Sequence, residues 1–176
     1  MEQGCAILVR KTRLTESSLI VTWMTQEHGL VRTVAKGARA PKSRFAGQLD
    51  LFFQCQISFQ RARRGDLHTL LDVHLHALHE GLRKDYPRLA LGSYFIQLME
   101  LALEPDAPAP ELYDLLLRAI GHLDAHPASR RALLHFEKEL ARLLGVNDPE
   151  HGAATALSRV YHRLPKDRAD LLDRMN

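Results

Sequence analysis

The sequence predicts an α+β chain in which a small five-stranded barrel precedes an α-helical bundle. Five short segments with β-branched, aromatic or alternating apolar residues lie within the first 79 residues, separated by turn-forming residues. From residue 80 onward, apolar residues recur at the three- and four-residue spacing of amphipathic helices. We therefore expect two domains, a barrel at residues 1–79 and a helical domain at residues 80–176.

Three strands are predicted in the first 36 residues. Residues 5–11 form a mostly apolar run, and residues 19–25 are rich in side chains that suit a pleated surface. The tripeptide Glu27-His28-Gly29 marks a tight turn, so residues 30–36 return as the second arm of a hairpin. Trp23 lies in the middle of the second strand, and we expect it to be a core residue rather than a base-stacking platform.

The basic segment, residues 29–44, begins on the third strand and becomes a loop at Gly37, where the backbone can turn sharply. No acid occurs between Glu27 and Asp50. A solvated surface loop is one interpretation of such a run. Binding of a polyanion, which would relieve the repulsion between the cations, is the other. The five cations of the segment are Arg32, Lys36, Arg39, Lys42 and Arg44.

Residues 48–60 show the clearest strand pattern in the chain. Apolar side chains alternate with polar ones for most of this stretch, and only Phe52 interrupts the alternation. A turn that carries Arg61, Arg63 and Arg64 follows, and residues 67–75 are expected to pair back as the fifth strand. Five strands with no helix before residue 80 favour a small closed or nearly closed barrel. A five-stranded barrel of this size is typically an OB-fold, which binds single strands or oligosaccharides.

Five helices are predicted beyond residue 80. The first starts near Tyr86-Pro87, because proline suits the first turn, and its apolar face is broad enough for a largely buried helix. The Pro-rich stretch 105–110 ends this helix and forms a stiff linker. Gly145 is the expected residue just past the end of the third helix. The other helices are expected at residues 111–123, 128–144, 153–162 and 165–174.

Charge is distributed unevenly along the 176 residues, whose net charge is +3. Residues 1–79 hold eleven Lys and Arg against six Asp and Glu, a surplus of five positive charges, whereas residues 80–176 hold thirteen against fifteen. An anionic partner is therefore expected on the first half. The chain has no apolar run of transmembrane length and an acid where a signal peptide needs cations, so we expect a cytoplasmic protein. Cys5 and Cys55 are expected to be buried free thiols.

The sequence offers little for catalysis. It lacks a GxSxG motif, a Gly-rich phosphate loop ahead of a helix and an HExxH motif. His74 and His76 share a face of the fifth strand, with His79 beyond. No thiolate or nearby carboxylate completes the ligand set that zinc requires. We expect a non-enzymatic protein without a metal or cofactor; a metal-dependent hydrolase that uses these histidines is a further hypothesis.

Several stretches of the chain, taken in order, resemble the bacterial RecO recombination mediators. The ordered set makes the resemblance specific, and it covers about residues 4–146. The matching stretches are residues 6–11, 16–22 and 28–39, Leu67-His68-Thr69-Leu70, the helical segment with Tyr94, the Pro-rich break, Glu111-Leu112-Tyr113 and residues 136–145.

The resemblance implies an OB-fold and a helical domain that bind single- and double-stranded DNA and anneal complementary strands. It also implies contacts with single-stranded-DNA-binding protein and RecR, help in loading RecA during repair, and association with the nucleoid. Many members carry a four-cysteine zinc module after the position of Gly145. No cysteine follows Cys55 here, so we expect this module to be absent and the C-terminal part to be reduced or diverged.

We expect the barrel to contact DNA phosphates, which positions a strand without reading its sequence. The expected contacts are Arg32, Lys36, Arg39, Lys42, Arg44, Arg61, Arg63 and Arg64. The helical half is expected to bind the acidic, apolar C-terminal tail of single-stranded-DNA-binding protein through Arg130, Arg131 and Arg142, although a solvated helix face also explains these cations. The alternative function is a protein–protein adaptor that uses the helical half and has little intrinsic DNA binding.

Overall fold

A computed structural model describes residues 1–146 and 148–175, which form five strands and five α-helices. The strands are Glu2–Arg13 (β1), Leu19–Thr25 (β2), Gly29–Ala35 (β3), Gln54–Gln60 (β4) and Leu67–Ala77 (β5). After a short 3-10 helix, the α-helices are Tyr86–Ala102 (α1), Pro110–Ala125 (α2), Arg130–Leu143 (α3), Gly152–Tyr161 (α4) and Arg168–Arg174 (α5). The chain divides into a barrel unit, Met1–His79 with Leu103–Tyr113, and a helical unit that holds the remaining described residues.

The five strands close into a barrel in the order β1-β2-β3-β5-β4. All neighbouring strands are antiparallel except β3 and β5, which run parallel. The β3–β5 pairing spans only three residue pairs, from Arg32 opposite Leu67 to Val34 opposite Thr69. The fold class expected from the sequence, an OB-fold barrel followed by helices, is confirmed.

The interior of the barrel is filled by side chains from all five strands. Trp23 is fully buried there, as expected, and its indole Nε1–H donates to the Thr33 hydroxyl at 2.9 Å. Both cysteines are free thiols. Cys55 is buried, which raises its pKa to about 12, whereas Cys5 is only half-buried.

The fourth strand is shorter than the alternation predicts. β4 begins at Gln54, and residues 49–53 form a turn in which Phe52 has a left-handed φ of 68°. The Phe52 N–H donates to the Leu8 carbonyl, and the Leu8 N–H donates to the Phe53 carbonyl, both at 2.9 Å. Phe52 is fully buried. The alternation overstates the strand because this turn also packs apolar side chains on the core, namely Leu49, Leu51 and Phe53.

The helical unit packs around α1, which buries seven residues. The rings of Phe95 and Phe136 stack at 4.0 Å between centroids. The Ser129 hydroxyl caps the start of α3, and Gly145, with a φ of 69°, follows its last turn as expected. The helix α5 begins at Arg168, three residues later than predicted. No helix in the described part of the chain is long and apolar enough to cross a membrane.

The Pro-rich stretch lies against the barrel in addition to ending α1. The Asp106 N–H donates to the Leu30 carbonyl at 3.0 Å. The Asp106 carboxylate accepts from Arg61 at 3.0 Å and lies 3.2 Å from His68 Nε2. Because His68 Nδ1 accepts from the Ala62 N–H, its Nε2 carries the proton and donates to Asp106. This network fixes residues 103–113 on the barrel.

Candidate nucleic-acid interface

The outer face of β3 presents Arg32, since its neighbours Val31 and Thr33 are buried in the barrel. Thr22 of β2 lies directly opposite Arg32, and Arg10 of β1 lies opposite Thr22. Residues that pair directly across strands share a face of the sheet. Arg10 and Arg32 therefore flank Thr22 on the outer surface. The sequence alone does not single out Arg10, because only the strand register places it in this row.

The loop part of the basic segment is a series of tight turns. Two of its arginines, Arg39 and Arg44, donate hydrogen bonds to backbone carbonyls outside the loop. The Arg39 N–H donates to the Ser17 carbonyl at 2.9 Å, and its guanidinium donates to the Glu16 carbonyl at 3.0 Å. Arg44 lies over the Phe45 ring at 4.7 Å and donates to the Leu70 carbonyl at 3.4 Å. Both side chains thus stabilise the loop while remaining exposed.

Two other expected contacts are already paired with carboxylates. Arg32 donates to Asp66 at 2.9 Å, and this hydrogen bond, together with the charge of Arg32, lowers the pKa of Asp66. Arg61 is bound by Asp106 at 3.0 Å and lies 3.5 Å from Glu2. Arg32, which lies in the stretch of sequence without acids, therefore has a carboxylate partner in the fold.

Four of the eight expected cations are exposed and have neither an ion pair nor a hydrogen bond to any described residue. Two belong to the basic segment and two to the loop between β4 and β5. In OB-folds, the face of strands two and three and the loops β1–β2 and β4–β5 bind oligonucleotides. Arg63 and Arg64 lie on the β4–β5 loop, whereas Lys36 and Lys42 lie on the β3–β4 loop, which Arg39 links to the β1–β2 loop. The four residues are Lys36, Lys42, Arg63 and Arg64.

The chemistry available at this surface is phosphate binding. Lysine and arginine can neutralise phosphates and thereby release counterions. Within residues 1–146 and 148–175, no group of three or more His, Cys, Asp or Glu side chains could hold a metal ion. His74, one of the three histidines considered as ligands, lies 3.1 Å from the Asp72 carboxylate on the exposed surface.

The helical unit contains a cavity of about 430 Å³ between α2 and α3, with an apolar wall and a cationic rim. Of the three expected partner contacts, Arg131 lines this cavity, Arg130 lies on the adjoining surface, and Arg142 pairs with Glu139 at 3.0 Å. The pKa of His122 is lowered by burial and by the nearby His126 and His135 imidazoles. The lining includes Phe95, Leu115, Phe136, Arg118, Arg131, His122 and His135.

Arg118 and His122 were not expected at a binding site. Both lie on α2, and only the packing of α2 against α3 brings them beside Arg131. Their spacing of four residues places them on one helix face. The sequence shows this four-residue spacing, but it does not show which face of α2 packs against α3.

Comparison with known proteins gives consistent matches over most of the chain. The family model described as Recombination protein O N terminal matches residues 1–79, and the model described as Recombination protein O C terminal matches residues 83–147. The DNA repair protein RecO of Rhodopirellula baltica is 35% identical over 158 residues, which cover 90% of this chain and 57% of that relative. The chain spans a little over half the length of the curated relatives it matches.

Two further relatives agree with this match. The DNA repair protein RecO of Salinibacter ruber is 33% identical over 143 residues, covering 80% of this chain and 55% of the relative. The DNA repair protein RecO of Geobacter sulfurreducens is 33% identical over 140 residues, covering 80% of this chain and 57% of the relative.

Proposed function

The chain belongs to the recombination protein O (RecO) family, and we propose that it is a non-enzymatic, DNA-binding recombination mediator in DNA repair. The observation that carries this proposal is a group of four exposed cations on the basic segment and the β4–β5 loop that pair with no residue in the described part of the chain. Arg63 and Arg64 lie on the β4–β5 loop, one of the loops with which OB-folds bind oligonucleotides, and Lys36 and Lys42 lie on the loop that follows β3. The group consists of Lys36, Lys42, Arg63 and Arg64.

The same surface supports strand annealing. A site that contacts phosphates leaves the base edges free to pair, because such contacts carry no sequence information. Neutralising two strands also reduces the repulsion between them. We therefore propose that the barrel binds single- and double-stranded DNA and accelerates the pairing of complementary strands. Association with RecR and help in loading RecA follow from the family alone.

Fluorescence anisotropy with labelled single- and double-stranded oligonucleotides tests DNA binding. Four phosphate contacts predict a log–log slope near −3 on single strands, so affinity should fall about fiftyfold between roughly 50 and 200 mM salt. The adaptor alternative predicts weak binding that hardly changes with salt. Annealing, followed by the loss of signal from an unpaired labelled strand, should weaken in parallel with binding.

The cavity of the helical unit supports a second contact, with the acidic, apolar C-terminal tail of single-stranded-DNA-binding protein. Arg118 and Arg131 can pair with tail carboxylates at the rim, while Phe95 and Phe136 offer an apolar wall to its side chains. Arg131 was expected for this role from the sequence, and Arg118 joins it in the fold.

Replacing Arg118 and Arg131 with Gln should weaken binding of a tail peptide by about tenfold or more, since charge-assisted hydrogen bonds are lost. Titration of a labelled peptide measures this change. Arg142→Gln is the control, because Arg142 does not line the cavity and its charge is paired with Glu139. Equal losses in the control and in the cavity variant would place the peptide elsewhere.

A further inference from the structure

The ion pair between Arg32 and Asp66 lies inside the proposed DNA-binding surface. The register pairs Arg32 of β3 with Leu67 of β5, so the preceding Asp66 reaches the Arg32 guanidinium at 2.9 Å. Both side chains are close to half exposed, 43% for Arg32 and 48% for Asp66. A phosphate that approaches the outer face of β3 therefore meets this pair in solvent.

A carboxylate and a phosphate are interchangeable partners for a guanidinium, since both accept its N–H donors with negatively charged oxygens. The hydrogen bond from Arg32 lowers the pKa of Asp66, so this carboxylate is ionised at neutral pH. An exposed ion pair contributes little to stability. A phosphate can thus take the place of Asp66 without unfolding the barrel.

The second paired arginine behaves differently. Arg61 is held by Asp106, which also binds His68 and, through its backbone, Leu30. His68 is 3% exposed. Asp106 is therefore part of the network that anchors residues 103–113, and its replacement would disturb the fold. No comparable network surrounds Asp66 among the residues that the structure describes, so DNA can displace this carboxylate from Arg32.

We propose that Asp66 is an intramolecular competitor of DNA, occupying the Arg32 guanidinium until a phosphate replaces it. This inference rests on the proposed function of the barrel. Arg32 therefore contributes less to the affinity for DNA than an unpaired arginine would. Its ion pair with Asp66 must break before its guanidinium can bind a phosphate. Asp66 thereby limits how strongly the barrel retains a strand.

A double-mutant cycle with Asp66→Asn and Arg32→Gln tests the competition, with single-strand affinity measured across a salt series. Asp66→Asn should raise affinity at low salt about fivefold, because the phosphate contact of Arg32 no longer requires breaking its ion pair with Asp66. In the Arg32→Gln background, the same substitution should change affinity by less than about twofold, because the guanidinium is gone.

Asp72→Asn is the matched control, since Asp72 is another exposed carboxylate on the barrel and pairs with His74 rather than with an arginine. Its effect on affinity should stay within about twofold. Thermal unfolding checks that each variant is folded, and Asp66→Ser replaces Asp66→Asn if the amide disturbs β5.

The proposed competition between Asp66 and DNA is disproved if Asp66→Asn leaves the affinity for DNA unchanged while the wild-type chain binds DNA with a steep salt slope. It is also wrong if Asp66→Asn raises affinity equally with and without Arg32, because that result reflects a general loss of negative charge. Salt-insensitive or absent binding by the wild-type chain and by all variants would instead overturn the proposed function and, with it, this inference.

Discussion

Glu137 is a carboxylate with 1% exposure in the helical unit. The Tyr94 hydroxyl donates to it at 2.5 Å, and Arg168 donates through two nitrogens at 2.6 and 2.9 Å. Burial and the charge of Glu137 raise the pKa of Tyr94 above its usual range, so the phenol remains a donor. A buried carboxylate is tolerated only when its oxygens are paired. These three residues therefore join α1, α3 and the region of α5.

Glu137→Gln should lower the free energy of unfolding by about 2–3 kcal/mol, because charge-assisted hydrogen bonds are lost inside the unit. Glu139→Gln on the same helix should cost less than about 0.5 kcal/mol, since its partner Arg142 is more than half exposed to solvent. Chemical denaturation of both variants measures the difference. Equal costs would mean that the buried network does not stabilise the helical unit.

The entry to β3 depends on close packing between Gly29 and the Pro-rich stretch. Gly29 has a φ of 65°, and a Cβ at this position would lie 2.0 Å from the Ala107 carbonyl oxygen. Gly37, at the exit from β3, has a nearly identical φ of 69°, and a Cβ there would meet no atom within 4 Å. The two glycines therefore differ in their surroundings and hardly at all in their backbone conformation.

Gly37→Ala should cost about 1 kcal/mol, the strain of a left-handed conformation without glycine. Gly29→Ala should cost at least about 2 kcal/mol more, because the new methyl group must displace the backbone of Ala107. Denaturant unfolding of the two variants provides the comparison. Similar values would show that residues 103–113 are held loosely against β3.

Local patterns predicted most of these elements, because each depends on residues close together in sequence. Gly145 ends α3 by its own left-handed φ, and the hairpin of β2 and β3 follows from the turn before Gly29. The predicted start of β4 was wrong, because the buried turn around Phe52 is as rich in apolar residues as a strand. Alternating apolar residues indicate that side chains are buried. The side chains around Phe52 are buried in a turn, so the pattern does not require a paired strand there.

The sequence showed which half of the chain is cationic but did not show which of its cations are paired. Composition identified the cationic half, but Asp66 and Asp106 reach Arg32 and Arg61 only through the strand register and the Pro-rich stretch. Arg39 and Arg44 donate hydrogen bonds to backbone carbonyls of neighbouring segments. Removing them would test loop stability together with DNA binding, so a clean test uses the unpaired cations alone.

We propose that the barrel contacts DNA phosphates through the four exposed cations that pair with no described residue. The most direct measurement compares the salt dependence of single-strand binding for the wild-type chain and for a variant with Lys36, Lys42, Arg63 and Arg64 replaced by Gln. Loss of up to four contacts should flatten the log–log slope by up to about 3. Stability should change by less than about 0.5 kcal/mol per residue, because these side chains are exposed and unpaired.

The control removes the same positive charge from exposed positions of the helical unit. Its slope should stay close to the wild-type value. A steep slope that survives in the barrel variant and disappears in the control would disprove phosphate binding by the barrel and place the DNA site on the helices. The four control residues are Lys84, Lys138, Arg163 and Lys166.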